Sequence, residues 1–349
     1  MDKITFCIPS KNNLRYLKSS ISSIRENSTI DNDIIVFIDS DNDGTKEWLN
    51  KEGVKYITNE SNTPKGIAYG YNRCIEIATT PIVCMFHADM YMAKGFDTAI
   101  LKYLKPLSVV SGTRIEPPLH PEGKEKIVKN FGMYPEDFLK TEFNQYTETL
   151  IKENSNKTTK GIFAPWAIYK EDITSIGMHD ETFHSYHEDS DIFNRFILNG
   201  YELIQTWEAY VYHLTCRGGQ FQDGVEQVTQ DEEFHKMKFK AAQHYINKWG
   251  SWIKNDEYQH PILFPVYKKK LIITNNKPEI ENSLKFWFNG GNDIIVEVDG
   301  NTFTQQDFNY IVQLNEIIKD SGEIGQFNLG NLKITINSLQ EYQTDLIHI

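Results

Sequence analysis

Basic residues are in short supply in this chain: 36 Lys and Arg stand against 48 Asp and Glu, for a net charge of −12. Nucleic acid and anionic membrane surfaces, which call for a positive field, are thereby set aside as main partners. Cysteine is scarce too. Cys7, Cys74, Cys84 and Cys216 lie far apart with no CxxC. Cys7 and Cys84 fall inside expected buried strands, where a reduced thiol acts as a small apolar residue, which suits a cytoplasmic chain. The sequons at Asn27, Asn59 and Asn156 are then coincidental. No apolar run is long enough to span a bilayer, and Met1-Asp-Lys-Ile-Thr5 carries no signal peptide, so a soluble protein is expected. Residues 8–15 contain no glycine, which removes the phosphate loop that a nucleotidyltransferase on an α/β sheet requires.

What is present is ordinary globular material. The 349 residues suffice for one large domain or two smaller ones, with 40% hydrophobic and 24% charged residues. Aromatic content of 13% suits stacking on sugars or nucleobases, although core packing alone accounts for it. The first hundred residues alternate strand and helix. Ile4–Pro9 reads as a strand, and Leu14, Leu17, Ile21 and Ile24 recur at helical spacing. The run Ile34–Ile38 has the continuous apolar pattern of a parallel strand buried on both faces. A helix at 45–51, a strand at 54–58, a helix at 67–78 and a strand at 82–86 follow, and such alternation predicts a mostly parallel sheet between helices.

Farther on, Asn154–Lys160 reads as a polar loop, Tyr201–Gln205 and Ala209–His213 as two strands, and 225–250 as a helix. Gly200 is the expected stop of a helix that opens in the acids at 187–191. Pro261, Pro265 and Lys268–Lys270 mark a boundary. Beyond it Leu271–Thr274 and Ile294–Val298 read as strands, Phe308–Lys319 as a helix and Phe327–Ile336 as a hairpin through Gly330-Asn331.

Chemistry concentrates at strand ends. The run Ile82-Val-Cys-Met-Phe-His-Ala-Asp89 passes from apolar residues to an acid two positions after His87. Ligands of open α/β sheets gather where strands end, so a carboxylate there is placed to hold a metal bound to a phosphate. Asp39-Ser-Asp-Asn-Asp-Gly44 opens like a calcium loop, but its twelfth position is Asn50 and a strand, not a helix, leads into it. Asp39 reads better as a strand-end carboxylate facing a base or ribose, with Asp41 and Asp43 a solvated turn.

The order Ile4-Thr-Phe-Cys-Ile-Pro-Ser10, then Ile35-Val-Phe-Ile-Asp39 with Asp43-Gly-Thr45, resembles the start of the family 2 glycosyltransferases of GT-A fold. Their first strand ends in Pro-Ser or Pro-Thr, and their second in Asp before a turn closing in Asp-Gly-Thr. The resemblance continues through Asn59, Lys65-Gly66, Asn72 and Ala78 to His87-Ala88-Asp89, where the family carries Asp-x-Asp. It covers about residues 1–217 and leaves the last third unexplained.

That resemblance implies a site. Asp89 is then a metal ligand, and His213, closing Tyr210-Val-Tyr-His213, completes the metal shell. Pro9, Ser10, Asp39, Lys65, Gly66, Asn72, His87 and Ala88 line the nucleotide-sugar pocket, with Trp166 as a stacking wall for the sugar. The plain alternatives are a solvated helix-start lysine at 65 and a core indole at 166. His87 departs from the family. Imidazole donates a hydrogen bond or binds a transition metal without carboxylate charge, which favours Mn2+ over Mg2+.

The stretch His187-Glu-Asp-Ser-Asp191-Ile-Phe-Asn-Arg195, behind Ile176-Gly-Met-His-Asp180-Glu, resembles the family's Glu-Asp-x-Asp helix start. Acids in a first helical turn also complement the helix dipole with no further role. By resemblance Asp189 is the base that deprotonates an acceptor hydroxyl, and Glu188 and Asp191 position the acceptor or the base. Arg195 orients Asp191 or simply pairs with it at i,i+4. Arg217-Gly-Gly219 offers a cationic lid over the diphosphate.

The expectation is a Rossmann-like GT-A domain over 1–217, a helical extension over 218–260, and a small α+β domain of unknown role over 268–349 that binds acceptor or forms a homo-oligomer. Its implied activity is metal-dependent, inverting transfer from a nucleoside-diphosphate sugar, UDP-linked by family habit, to a glycan or other hydroxyl. The alternative is a catalytically inert GT-A-like module that binds a nucleotide or sugar or bridges partners. The intact acids at 188–191 count against it, since a binding module needs no base.

Overall fold

The apolar runs and helical spacings of the first ninety residues become β1 (Ile4–Lys11), α1 (Leu14–Asn27), β2 (Asp33–Ser40), α2 (Thr45–Glu52), β3 (Lys55–Thr58), α3 (Ile67–Ile77) and β4 (Ile82–Met85). The structure, a computed structural model, describes residues 2–61, 63–215 and 232–346. The chain divides into two units: residues 1–234 with 255–260, and residues 235–254 with 261–349.

The first unit continues through β5 (Met90–Met92), α4 (Phe96–Tyr103), β6 (Ser108–Glu116), β7 (Lys126–Val128), α5 (Lys140–Glu153), β8 (Thr158–Thr159), β9 (Trp166–Tyr169), α6 (Lys170–Ser175), α7 (Glu188–Leu198) and β10 (Glu202–His213). Ten strands join in one sheet, ordered β3-β2-β1-β4-β9-β6-β10-β5, with β7 on β6 and β8 on β10. β1 to β4 are parallel where they pair, as is β6 with β10. β9 enters antiparallel between β4 and β6, and β5 lies antiparallel on β10. All residues of β4 and β6 are buried, as strands covered on both faces must be. This is a mixed α/β fold with a large, mostly parallel sheet flanked by helices.

Two local expectations are corrected. The two strands expected over 201–205 and 209–213 are one, β10, with a register shift between Gln205 and Tyr210 in its pairing to β6. The polar stretch 154–160 is not all loop, because Thr158 and Thr159 pair with Thr206 and Gln205 just where β10 departs from β6. Gly200 ends α7 as expected, at φ +77 with its amide on Ile197 O.

The helix expected over 225–250 is described from Glu232 to Trp249 as α8, and from His235 onward it counts with the second unit. That unit adds β11 (Lys269–Thr274), α9 (Pro278–Leu284), β12 (Ile294–Asp299), α10 (Gln305–Val312), α11 (Leu314–Ser321), β13 (Gly325–Leu329) and β14 (Leu332–Ile336). Its four-stranded sheet runs β11-β12-β14-β13. The single helix expected over 308–319 is split at Gln313, and α10 opens on a capping box between Thr304 and Asp307. Lys269 starts β11 instead of lying in a linker, buried, with its Nζ 2.7 Å from Asn315 Oδ1. Among the described residues no helix is long and apolar enough to cross a membrane.

Candidate functional site

The end of β4 does not lead into a helix. Residues 86–89 turn, and the chain returns as β5 in antiparallel register with β10, which sets His213 opposite Met90. Leu214 N donates to Asp89 O at 3.0 Å, so the end of β10 is bonded to the turn itself. His213 Nε2 thereby comes within 3.4 Å of Asp89 Oδ1, and the His87 and His213 rings lie 5.4 Å apart. One donor atom from each of His87, Asp89 and His213 falls within 4.8 Å of the others, and no other such trio occurs among the described residues. Two imidazoles and a carboxylate suit a divalent transition ion.

The electrostatics of the two imidazoles diverge. Burial, reinforced by His213, holds His87 down to about 4, so its ring is neutral near pH 7 with a lone pair to offer. Burial also works against a charge on His213, but Asp89 and Glu116 outweigh it and hold that ring up to about 9.

Glu116 was not anticipated. It ends β6, where its Oε1 lies 3.1 Å from His213 Nδ1 and accepts Arg114 Nη1 at 2.8 Å, while Oε2 accepts Lys126 Nζ at 2.8 Å. Burial opposes ionisation, yet His213, Arg114 and Lys126 keep this carboxyl far below the usual range. Arg114 reaches on to Glu125 at 3.4 Å and lies over the Phe163 ring, 3.8 Å from its centroid. Little in the sequence signalled it: Val109–Glu116 reads Val-Val-Ser-Gly-Thr-Arg-Ile-Glu, broken by polar residues, and only the Glu just before Pro117-Pro118 points to a strand end.

At the neighbouring strand ends, Asp39 organises a loop. Its Oδ1 accepts Lys65 N at 2.7 Å and Asn59 Nδ2 at 2.9 Å, and its Oδ2 accepts Gly66 N at 3.0 Å. One acceptor position remains on Oδ2. Gly66 stands at φ +90, and a Cβ there would lie 1.9 Å from His184 O, so only glycine fits between the Lys65 loop and the 184–187 turn. Lys65 is half-buried. Pro9 packs under Gly70, and Ala88 is buried in the turn between His87 and Asp89. Ser10 Oγ is buried with no protein partner, as a group reserved for a ligand would be. Asp43 binds Thr45 and Leu14 N, and Asp41 binds Lys46 N, so both acids shape the turn.

Asn72 and Trp166 are engaged by protein groups. Asn72 Nδ2 donates to His179 O and Glu181 Oε1, both at 2.9 Å, and its Oδ1 accepts His179 N at 3.0 Å. Its amide is thus occupied in tethering residues 179–181. Trp166 is 2% exposed and meets Phe193 and Phe196 edge-on, with its indole also against His179. The insertion of β9 between β4 and β6 encloses it, and no ring face is left for a sugar.

The acids at 188–191 divide by surroundings. Tyr186 and His187 both adopt left-handed φ, +70 and +69, to swing the chain into α7. Burial first, and then the Asp189 charge, push the Glu188 carboxyl up to about 8. Its Oε2 is buried without a partner. Asp189 is raised too, chiefly by burial, while Ser190 N donates to its Oδ1 at 2.6 Å. Burial raises both carboxyls, and the Asp189 charge adds to the rise at Glu188, which is thereby the member of the pair that holds a proton near neutral pH. Asp191 is fully buried and bonded to Arg195. The suggested lid Arg217-Gly-Gly219 lies outside the described residues.

A mostly parallel sheet with helices on both faces, whose chemistry gathers at adjoining strand ends around a His-x-Asp turn, defines a GT-A-type α/β protein. Residues 5–174 match the model of glycosyl transferase family 2. The match takes in Ser10, Asp39, Asp89 and Glu116 and stops short of Asp189 and His213. Among solved structures, GalNAc-T7 with UDP, GalNAc and Mn2+ aligns with a TM-score of 0.50 and 12% identity over 72% of this chain. The mannosyltransferase PcManGT from Pyrobaculum calidifontis, in complex with GDP-Man and Mn2+, aligns with a TM-score of 0.45 and 18% identity over 70% of this chain. The chain spans 51% of the first protein and 62% of the second. No curated protein matches the sequence.

Proposed function

We propose that the chain is an inverting glycosyltransferase that moves a sugar from a nucleoside-diphosphate donor to a hydroxyl acceptor. The observation that carries the reading is the meeting of His87, Asp89 and His213 at the strand ends of a family 2 domain. A divalent cation held by these three side chains would compensate the charge that grows on the departing diphosphate. Mn2+ is the proposed ion, because two imidazoles favour it over Mg2+. UDP is the proposed nucleotide, the species present in the GalNAc-T7 complex.

The chain's own groups supply the rest. Ser10 Oγ and the free position on Asp39 Oδ2 offer polar contacts to the nucleoside. The loop that Asp39 holds presents Lys65 beside them. Asp189 takes the acceptor proton as the hydroxyl oxygen attacks the anomeric carbon and the nucleoside diphosphate leaves from the opposite face. Glu188, neutral, donates its proton in a hydrogen bond to acceptor or sugar. The buried, unbridged Cys7, Cys74 and Cys84 support a reducing, cytoplasmic setting.

The test is a thermal-shift titration with UDP, GDP, CDP and dTDP, each with Mn2+, Mg2+ or chelator. A ligand of the folded state raises the melting point by an amount that grows with the logarithm of its concentration over its dissociation constant. Stabilisation by one nucleotide that vanishes with chelator is expected. No shift with any of them would turn the reading to the inert module, which slow metal-dependent hydrolysis of the donor would in turn exclude.

A further inference from the structure

We propose that Glu116 is a positioning residue for the His87–Asp89–His213 group, holding His213 in the tautomer that offers Nε2 to a divalent cation. The inference rests on the metal-centre reading above. Strand register puts the two residues together: the parallel pairing of β6 with β10 aligns Tyr212 with Ile115, so His213 and Glu116 follow at the next step. Both end their strands at the same edge of the sheet.

The chemistry of the contact fixes the direction of the hydrogen bond. Arg114 Nη1 and Lys126 Nζ each lie 2.8 Å from one oxygen of Glu116, whose side chain is 2% exposed. A carboxylate clasped by two cations is ionised, and an ionised carboxylate accepts hydrogen bonds and donates none. His213 Nδ1, 3.1 Å from Oε1, must therefore carry a hydrogen. Nε2, which faces Asp89 Oδ1 at 3.4 Å, is the ring nitrogen left for a cation. Imidazole ligands are generally held this way, with a carboxylate on the nitrogen remote from the metal. Arg114, bracketed by Glu125 and the Phe163 ring, and Lys126 keep Glu116 from rotating away from the imidazole.

The experiment measures Mn2+ binding to the full chain by calorimetry, apart from any activity. Wild type is compared with Glu116→Gln and Glu125→Gln. Each variant removes one negative charge from the same buried cluster and loosens Arg114, but of the two residues only Glu116 touches His213. Mn2+ affinity is expected to fall about 10–100-fold in Glu116→Gln and to stay near the wild-type value in Glu125→Gln. Equal losses in both would reduce Glu116 to a source of charge, and an unchanged Glu116→Gln would remove its role altogether.

Wild type gives a second readout that needs no variant to fold. With Zn2+ as a diamagnetic probe, nitrogen NMR is expected to show the proton of His213 on Nδ1, and a proton on Nε2 would overturn the proposal. If wild type takes up no metal, the metal centre itself fails and this inference fails with it. If wild type binds and Glu116→Gln binds equally well, the centre stands and only the role of Glu116 falls.

Discussion

Asp191 and Arg195 form an ion pair from which solvent is fully excluded, with Nε 3.0 Å from Oδ2. Arg195 also donates to the carbonyls of Ile176 and Met178, so the pair fastens the acidic helix to the turn before it. Breaking one side of such a pair leaves a buried, uncompensated charge and costs about 3–5 kcal/mol. Arg195→Met is expected to lower the urea midpoint of the first unit accordingly, and the Asp191→Leu, Arg195→Met double variant to recover part of the loss. A single variant with the wild-type midpoint would show that the pair holds nothing.

Asp189→Asn keeps the size of the side chain and an oxygen for the Ser190 amide, but not the basicity. Transfer is expected to fall by about 10²–10⁴ while donor affinity is retained. Calorimetry of donor binding beside a transfer assay separates the two. Near wild-type transfer would dismiss Asp189 as the base.

Gly66→Ala places a methyl group where His184 O already sits and forces a non-glycine residue to φ +90. Either the 184–187 turn moves or the Lys65 and Gly66 amides leave Asp39. A loss of at least about 2 kcal/mol is expected, with weakened nucleotide binding, read by thermal unfolding and by the titration above.

Trp166→Phe discriminates between a core indole and a sugar wall. Enclosure of Trp166 predicts a stability loss of about 1–3 kcal/mol with an unchanged KM for the donor. A raised KM at wild-type stability would restore the stacking role.

Lys269 gives the second unit a pH signature. Burial holds its ammonium down to about 7, against 10.5 when solvated. Between those values the unfolded chain carries a proton that the folded chain has shed, so unfolding takes up a proton, and raising the pH makes it less favourable and stability climbs. The slope is at most about 1.4 kcal/mol per pH unit. Calorimetry from pH 7 to 10 is expected to show that rise in wild type and its loss in Lys269→Met; a flat wild-type profile would contradict it.

Much of this was legible in the residues, for a physical reason. Parallel strands covered on both faces write themselves as unbroken apolar runs, so β1, β2 and β4 were readable with their terminal Ser10, Asp39 and Asp89. His213 was readable as the polar end of another such run. Residues whose meaning depends on a distant partner were not. The amide of Asn72 is claimed by a loop more than one hundred residues later in the chain. Trp166 is a core residue because β9 inserts antiparallel between two strands, an order that no local pattern encodes. Glu116 closes a stretch that Ser111, Thr113 and Arg114 interrupt, so no apolar run pointed to it, and only the pairing of β6 with β10 gives it His213.

That pairing also has a consequence for how the molecule comes together. His213 lies 124 positions after Asp89 in the chain, and β5, one of the two end strands of the sheet order, has β10 as its sheet neighbour among the described residues. During synthesis β1 to β4 emerge first, whereas the turn at residues 86–89 waits for the last strand of the domain to arrive. Contacts of such long sequence separation form late. Cation uptake would then follow the arrival of that last strand, and a bound ion would help to hold the turn before β5 against the end of β10.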